Sequence, residues 1–287
     1  MAKDEFVTAN IRVGFSMHPR WACGAGLADF LSPLQAAGLS VLEFELDENL
    51  DMWTEVAPLM SDVWKLGMQL SFHAPFRSPY SLAGYAGSRR AEIEQMHRPM
   101  LDIAAGWAQR DGKLKTVVVH AAAAQEPADP DGLTADSLSF LAWALETYPG
   151  LMFALENNLP ATANQVKIGV DRQDVLKIIH TLHHPRLRIC WDMGHDYLNG
   201  SPIEPEPEWL AQVVHVHLHD VNEPGMDHYP LVYGRVPFQP WLQALKRVGM
   251  HGTVVLELKG NQLKDWQLEN IHTALVDSIH RITREVQ

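Results

Sequence analysis

Pro149-Gly150-Leu151-Met152-Phe153-Ala154-Leu155-Glu156-Asn157-Asn158 contains one complete unit of the fold. A helical stretch ends before it, and a glycine just past a helix end is expected to turn the chain through left-handed angles that carry no Cβ penalty. An apolar run of strand length follows and stops on an acid and two amides. The same junction of helix, glycine and strand recurs at Ala37-Gly38-Leu39, Leu66-Gly67-Met68 and Val248-Gly249-Met250. Working outward, apolar and β-branched runs predict strands at Ile11–Ser16, Leu39–Leu46, Met68–Phe72, Leu114–His120, Leu151–Glu156, Leu187–Asp192, Val213–His219 and Thr253–Leu258. Helical spacing falls between them at Leu27–Ala37, Met52–Leu66, Arg89–Gln109, Thr134–Thr147, Asp171–Leu182, Glu206–Gln212, Phe238–Val248 and Asp265–Arg284.

Strands alternating with helices give an α/β fold with a parallel sheet. At 287 residues the expected closure is a single (β/α)8 TIM barrel, read as one domain over residues 1–287. A doubly wound open sheet would want G-x-G-x-x-G after its first strand, and Gly14–Gly26 does not supply it. The helix-to-strand turns are short. The strand-to-helix loops are often long, at Ala74–Ser88, Ala121–Gly132, Asp196–Pro205 and Val221–Pro237. In a barrel the long-loop side is the functional face.

Composition narrows the function. With 23 Lys+Arg against 35 Asp+Glu the net charge is −12, which argues against a protein that grips a nucleic-acid backbone. No apolar run is long enough to span a membrane, and Met1-Ala2-Lys3-Asp4-Glu5-Phe6 does not begin a signal peptide. Two cysteines, Cys23 and Cys190, form no disulfide framework, so the expected compartment is the cytoplasm. Neither lies in a zinc spacing, and there is no Walker loop or G-x-S-x-G elbow. The 15 histidines direct attention to metal chemistry.

Titratable residues gather where strands end: His73, His120, Glu156, Asp192 with His195, the run His215-Val216-His217-Leu218-His219-Asp220, and Glu257. A closed parallel barrel aims these ends at one place. Several carboxylates buried together need a cation to neutralise them. Two glutamates, an aspartate and one histidine form an oxygen-rich set suited to Mn, Mg or Co, and further imidazoles shift the preference toward Zn. Each residue also has a plainer reading. Asp192 can cap the turn after it, and Glu257 can pair with Lys259. His73 and His120 divide evenly between function and a satisfied core. His217 is the expected ligand of its strand, with His215 and His219 as packing or supporting groups. Trp191, Phe72, Trp21 and Phe15 read as core more than as a substrate wall. The remaining histidines, among them His18, His97, His180 and His251, are read as helix, turn or surface residues.

The motifs Ser71-Phe72-His73-Ala74-Pro75-Phe76, Leu155-Glu156-Asn157-Asn158, Asp192-Met193-Gly194-His195, His217-Leu218-His219-Asp220 and Asp227–Gly234, with Val255-Leu256-Glu257 last, resemble the xylose isomerase-like TIM-barrel superfamily. That group holds sugar and sugar-phosphate isomerases and epimerases and the AP-endonuclease family 2. The resemblance implies one divalent metal ion (Mn, Mg, Co or Zn) on Glu156, Asp192, His217 and Glu257. The two glutamates would exchange protons with a small polyhydroxylated substrate next to its carbonyl. His73, His120, His195 and His228 would bind substrate or additional metal. It also implies a homo-oligomer. The alternative branch is a zinc-dependent AP-endonuclease-like hydrolase with a three-zinc cluster that uses His73 and His120. Its Asp-x-His pair meets Met226-Asp227-His228 here, so the aspartate position holds Met226. That departure and the net charge rank DNA repair second. A non-catalytic sugar-binding barrel is the third reading. Where relatives often carry Gly-Glu-Gly, this chain has Val232-Tyr233-Gly234, which leaves the shape of that loop open.

Overall fold

A computed structural model describes residues 10–17, 26–45, 52–162, 164–201 and 204–287. Eight parallel strands close into a barrel: β1 (Asn10–Met17), β2 (Leu39–Glu45), β3 (Gln69–His73), β4 (Lys115–His120), β6 (Leu151–Glu156), β8 (Leu187–Asp192), β9 (Val213–Leu218) and β10 (His251–Glu257). Around the barrel the order is β1-β10-β9-β8-β6-β4-β3-β2, so the first and last strands seal it. The expected (β/α)8 architecture is therefore present. Two further strands, β5 (Ala123–Gln125) and β7 (Gln165–Lys167), pair antiparallel beyond the ends of β4 and β6.

The helices are α1 (Leu27–Ala36), α2 (Met52–Lys65), α3 (Arg90–Asp111), α4 (Pro130–Thr147), α5 (Arg172–Leu182), α6 (Met193–Leu198), α7 (Pro207–Gln212), α8 (Phe238–Arg247) and α9 (Leu268–Val286). Their apolar faces cover the barrel. Leu31 and Leu34 of α1, Trp241 and Leu245 of α8, and Ile279 and Ile282 of α9 are all buried. Phe15, Phe72 and Trp191 are fully buried core residues, as read from sequence, while Trp21, His18 and Cys23 lie outside the described residues. His97, read as a helix, turn or surface residue, does lie on helix α3 but on its inner face: it is 2% exposed and lies 3.0 Å from the Tyr80 carbonyl through Nε2.

Two boundaries differ instructively. Helix α4 starts at Pro130 rather than Thr134, because Asp129 caps it by accepting from the Asp131 and Gly132 amides and proline suits the first helical turn. The segment after β8, read as turn and loop from Asp196, instead opens with the short helix α6. Its cap is Asp192, which accepts from the His195 amide at 2.7 Å.

Inside the barrel the packing is unusual. Val118, Ala154 and Cys190 form a small apolar cluster separate from the main core. Polar groups are buried in the barrel beside such apolar ones, among them Glu43, Ser71, His215 and His217. Small residues permit this. At Gly14, for example, an added Cβ would lie 2.9 Å from a Val255 methyl.

Candidate metal and active centre

Glu156, Asp192, His217 and Glu257, from the ends of β6, β8, β9 and β10, present ligand atoms within 4.8 Å of one another, and all four are buried. His217 Nδ1 stands 3.2 Å from Glu156 Oε1 and 3.3 Å from Glu257 Oε2. Three carboxylates sharing so dry a space repel one another strongly, and protons or a cation must hold them together. Among the described residues, Glu257 Oε2 is held only by the imidazoles of His217 and His228, 3.3 and 3.2 Å away. Three acids converging with one imidazole fit a divalent ion of the harder kind.

Three histidines ring this set, each tethered by one nitrogen. His73 Nδ1 lies 2.9 Å from the Ala74 carbonyl, His120 Nδ1 2.5 Å from Asn158 Oδ1, and His195 Nδ1 2.9 Å from the Asn157 carbonyl. An acceptor at Nδ1 fixes a hydrogen there, so Nε2 is the nitrogen that presents a lone pair once the ring is neutral. Those Nε2 atoms face inward. His73 and His120 reach Glu156 Oε2 at 3.2 and 3.0 Å, while His195 Nε2 is buried with no partner and lies 4.0 Å from Asp227 Oδ2. Imidazoles oriented by a second contact are the usual arrangement of metal-binding histidines. His73 and His120 thus sit at the cluster with the orientation such a role requires. His228 completes the ring, with Nε2 3.2 Å from Glu257 Oε2 and Nδ1 2.9 Å from Asp227 Oδ2.

All eight candidate residues from the sequence meet at this one place. Sequence reading does not single out Glu43 or the role of Asn157, while His219 takes the supporting place expected of it. Glu43, mid-strand in β2 and wholly buried, lies 2.8 Å from His217 Nε2, 2.8 Å from His215 Nε2, and accepts from Ser71 Oγ. His219 accepts the His228 amide on Nδ1 at 2.9 Å, so its Nε2 carries the hydrogen and points at Asp192, 3.1 Å from Oδ1. It orients a carboxylate and does not offer a lone pair. Asn157, passed over as part of a motif, clamps two strand ends: its amide accepts from Asp192 N and donates to Asp192 O. Lys259 contacts His228 and Asp227, with Nζ 3.1 and 3.8 Å away, in place of the sequence-based pairing with Glu257.

The electrostatics follow from burial against mutual pairing. Burial opposes the charge on Glu156, yet His120 and His217 hold its carboxyl well below the usual range. Burial likewise opposes the charge on Glu257, and His217 and His228 hold it low. His73 keeps its proton up to about 9 against desolvation because Glu156 faces it, and His228 does so to about 9 beside Glu257. His195 is the exception: burial pulls it below its ordinary value. Its buried Nε2 lone pair is therefore available at neutral pH.

The loop over the centre hangs from Asp220. That buried carboxylate accepts the backbone N–H groups of Val221, Tyr233, Gly234, Arg235 and Val236. Val232 and Tyr233 keep negative φ and point outward, with only Gly234 left-handed at φ 69°. Within this tripeptide, left-handed angles are therefore needed at Gly234 and not at Val232. His228 is itself held at φ 62°, a left-handed conformation costly for a histidine. Beside the cluster opens a cleft of about 730 Å³ whose wall includes His120, Asn158 and His195.

The profile of xylose isomerase-like TIM barrels matches residues 33–282. The chain belongs to that family. Among solved structures this family member resembles a D-tagatose 3-epimerase-like protein, with a TM-score of 0.72 at 20% identity over 96% of this chain and 97% of that one. It also resembles an L-ribulose 3-epimerase, with a TM-score of 0.67, 14% identity, and 96% and 94% coverage. A 3-keto-D-glucoside 4-epimerase from E. coli gives 0.65 and 16% over 96% and 100%. An uncharacterized protein of Methanocaldococcus jannaschii is 29% identical over 126 residues, an alignment that spans 43% of this chain and 42% of that protein. Among the described residues no helix is long and apolar enough to cross a membrane.

Proposed function

We propose that this chain is a divalent-metal-dependent isomerase or epimerase that moves a proton next to the carbonyl of a small sugar or sugar derivative. The observation that carries this reading is the placement of Glu156 and Glu257. They stand on β6 and β10, three strand positions apart around the mouth, and both reach the same ring nitrogen of His217. Two carboxylates entering from different sides can serve the two faces of one carbon, one accepting a proton and the other returning it. A divalent ion held by Glu156, Asp192, His217 and Glu257 would polarise substrate oxygens and so acidify the adjacent C–H. His195, with a free lone pair on Nε2, would hold a substrate hydroxyl. The dry surroundings keep bulk water from exchanging with the proton in transit. The epimerases among the similar structures support the substrate class.

The test is hydrogen exchange. Incubated with manganese and a panel of ketoses in D2O, the protein should place deuterium on the carbon beside the carbonyl. Glu156→Gln and Glu257→Gln should each lose roughly a hundredfold or more of that rate while keeping their circular dichroism. Unchanged exchange in both variants would sink the assignment.

A second reading has its own observation. Asp227 brings its carboxylate beside His195 and His228 although Met226 occupies the expected position, and His73, His120 and Glu156 form a further potential ligand group. Two or three zinc ions per chain, with cleavage of an abasic-site duplex, would establish that hydrolase in place of the isomerase. One ion per chain would not.

A further inference from the structure

We infer that the cleft beside the cluster seats the phosphoryl group of a small sugar monophosphate, whose sugar part lies on the carboxylates and histidines. This rests on the isomerase reading above.

The argument begins with charge. The chain carries −12 overall, yet the cleft is lined by Arg77, Arg89, Lys167 and Lys259, and among the described residues no acidic side chain lines it. Two of these cations are already employed. Arg89 forks onto Glu92 and the carbonyls of Ala83 and Pro79, and Lys259 leans on His228 with Asp227 at 3.8 Å. Arg77 and Lys167 are different. Arg77 is exposed, with its guanidinium 5.6 Å over the Phe76 ring, and neither it nor Lys167 has a carboxylate partner among the described residues. Burial, then Lys259 and Arg77, push the Lys167 ammonium below its ordinary value, offset only in part by the Asp227 carboxylate, so positive charge prevails around it. A dianion placed among them relieves that repulsion and accepts charge-assisted bonds from several sides.

Position supplies the rest. The antiparallel pair β5–β7 exists only beyond the barrel ends, and it carries Lys167 to the cleft together with Gln125 and Gln165. Ser78 and Ser81 add hydroxyl groups from the β3–α3 loop. His120 and His195 line the cleft and also belong to the cluster, so a ligand spanning both is one small molecule long. The cleft volume suits such a molecule and not a stretch of duplex. The net charge also opposes a long polyanion.

The experiment titrates the metal-loaded protein with inorganic phosphate by calorimetry at low salt. It compares the natural chain with Arg77→Gln/Lys167→Gln and with the charge-keeping Arg77→Lys/Lys167→Arg. Binding should weaken about tenfold or more in the first variant and survive in the second, as expected for charged hydrogen bonds. D-ribulose 5-phosphate should bind more tightly than D-ribulose, and the glutamine variant should erase the difference. Equal phosphate binding by all three proteins would place the anion on the metal and overturn the inference. Tighter binding of gluconate than of phosphate, or of an abasic-site duplex than of the sugar phosphate, would overturn it also. Deuterium exchange separates this from the parent reading. Exchange into D-ribulose without any phosphate preference defeats the anion site alone. Phosphate binding that follows the variants, with no exchange into any sugar, upholds the anion site and defeats the isomerase.

Discussion

His217 has a carboxylate at each ring nitrogen. Glu156 and Glu257 face Nδ1, and Glu43 lies 2.8 Å from Nε2. With Nε2–H donated to Glu43, the Nδ1 lone pair is held toward the cluster and its basicity is raised. Glu43→Gln should therefore weaken metal binding by roughly 10- to 100-fold with little change in fold, read by metal-competition titration. An unchanged affinity would reduce Glu43 to packing. Sequence reading did not single out Glu43, because an acid inside an apolar strand is visible but its partners, 172 and 174 positions away, are not. His97 makes a different point. Burial lowers it to about 4, below the roughly 6.5 of an unfolded chain, so it is neutral when folded. The unfolded state then binds more protons in that interval. The contribution of His97 is complete above about 6.5 and is lost as pH falls toward 4. Urea unfolding at pH 7 and pH 4.5 should show about 2 kcal/mol less acid sensitivity in His97→Gln than in the natural chain. Equal slopes would assign that sensitivity elsewhere.

At the scale of elements, close strand contact and helix propensity make opposite demands on glycine. In β10 a Cβ on Gly252 would sit 1.9 Å from the Val214 carbonyl oxygen of β9, and backbone cannot step aside. Gly252→Ala should cost roughly 3 kcal/mol or more. Gly106, inside α3 with open space around its Cα, should gain about 0.5–1 kcal/mol as alanine. Urea midpoints with unchanged slopes would measure both, and a tolerated Gly252→Ala would refute the close packing of these strands. The barrel strands and main helices were legible because they are apolar or periodic runs, several of them bounded by glycine or an acid. The pair β5–β7 was not: each strand has three residues, Ala123-Ala124-Gln125 has no alternation, and their pairing spans some forty positions. Helix α6 hid behind Asp192, which was weighed as either a cap or a ligand and here faces both tasks. Seven of the eight candidate site residues could be located because strand ends must converge; His228, on the loop after β9, came only from the resemblance. Their supports, His219 and Asn157, could not be told from packing by sequence alone.

For the whole molecule, the buried acids make stability depend on what neutralises them. Without metal, protons on His73 and His228 serve, since both titrate near 9, above their unfolded value. That contribution is complete below about 6.5 and is lost as pH rises through about 9. A bound ion must displace these protons, so its stabilising effect should grow across the same interval. At a hundredfold excess over its dissociation constant, manganese should add about 2.7 kcal/mol to unfolding, and chelator should remove it. Denaturation at pH 6.5 and pH 9, with and without metal, reads both effects. A metal effect largest at pH 6.5 would contradict this account.

The five amides gathered by Asp220 have a consequence for how such a protein diversifies. Because one carboxylate grips main chain alone, the loop's path is specified independently of the side chains it displays. Val232 and Tyr233, 48% and 44% exposed on that path, are interchangeable parts on a fixed mount. Selection, or an engineer, can re-tailor what the mouth of the barrel meets without disturbing the ligands beneath it.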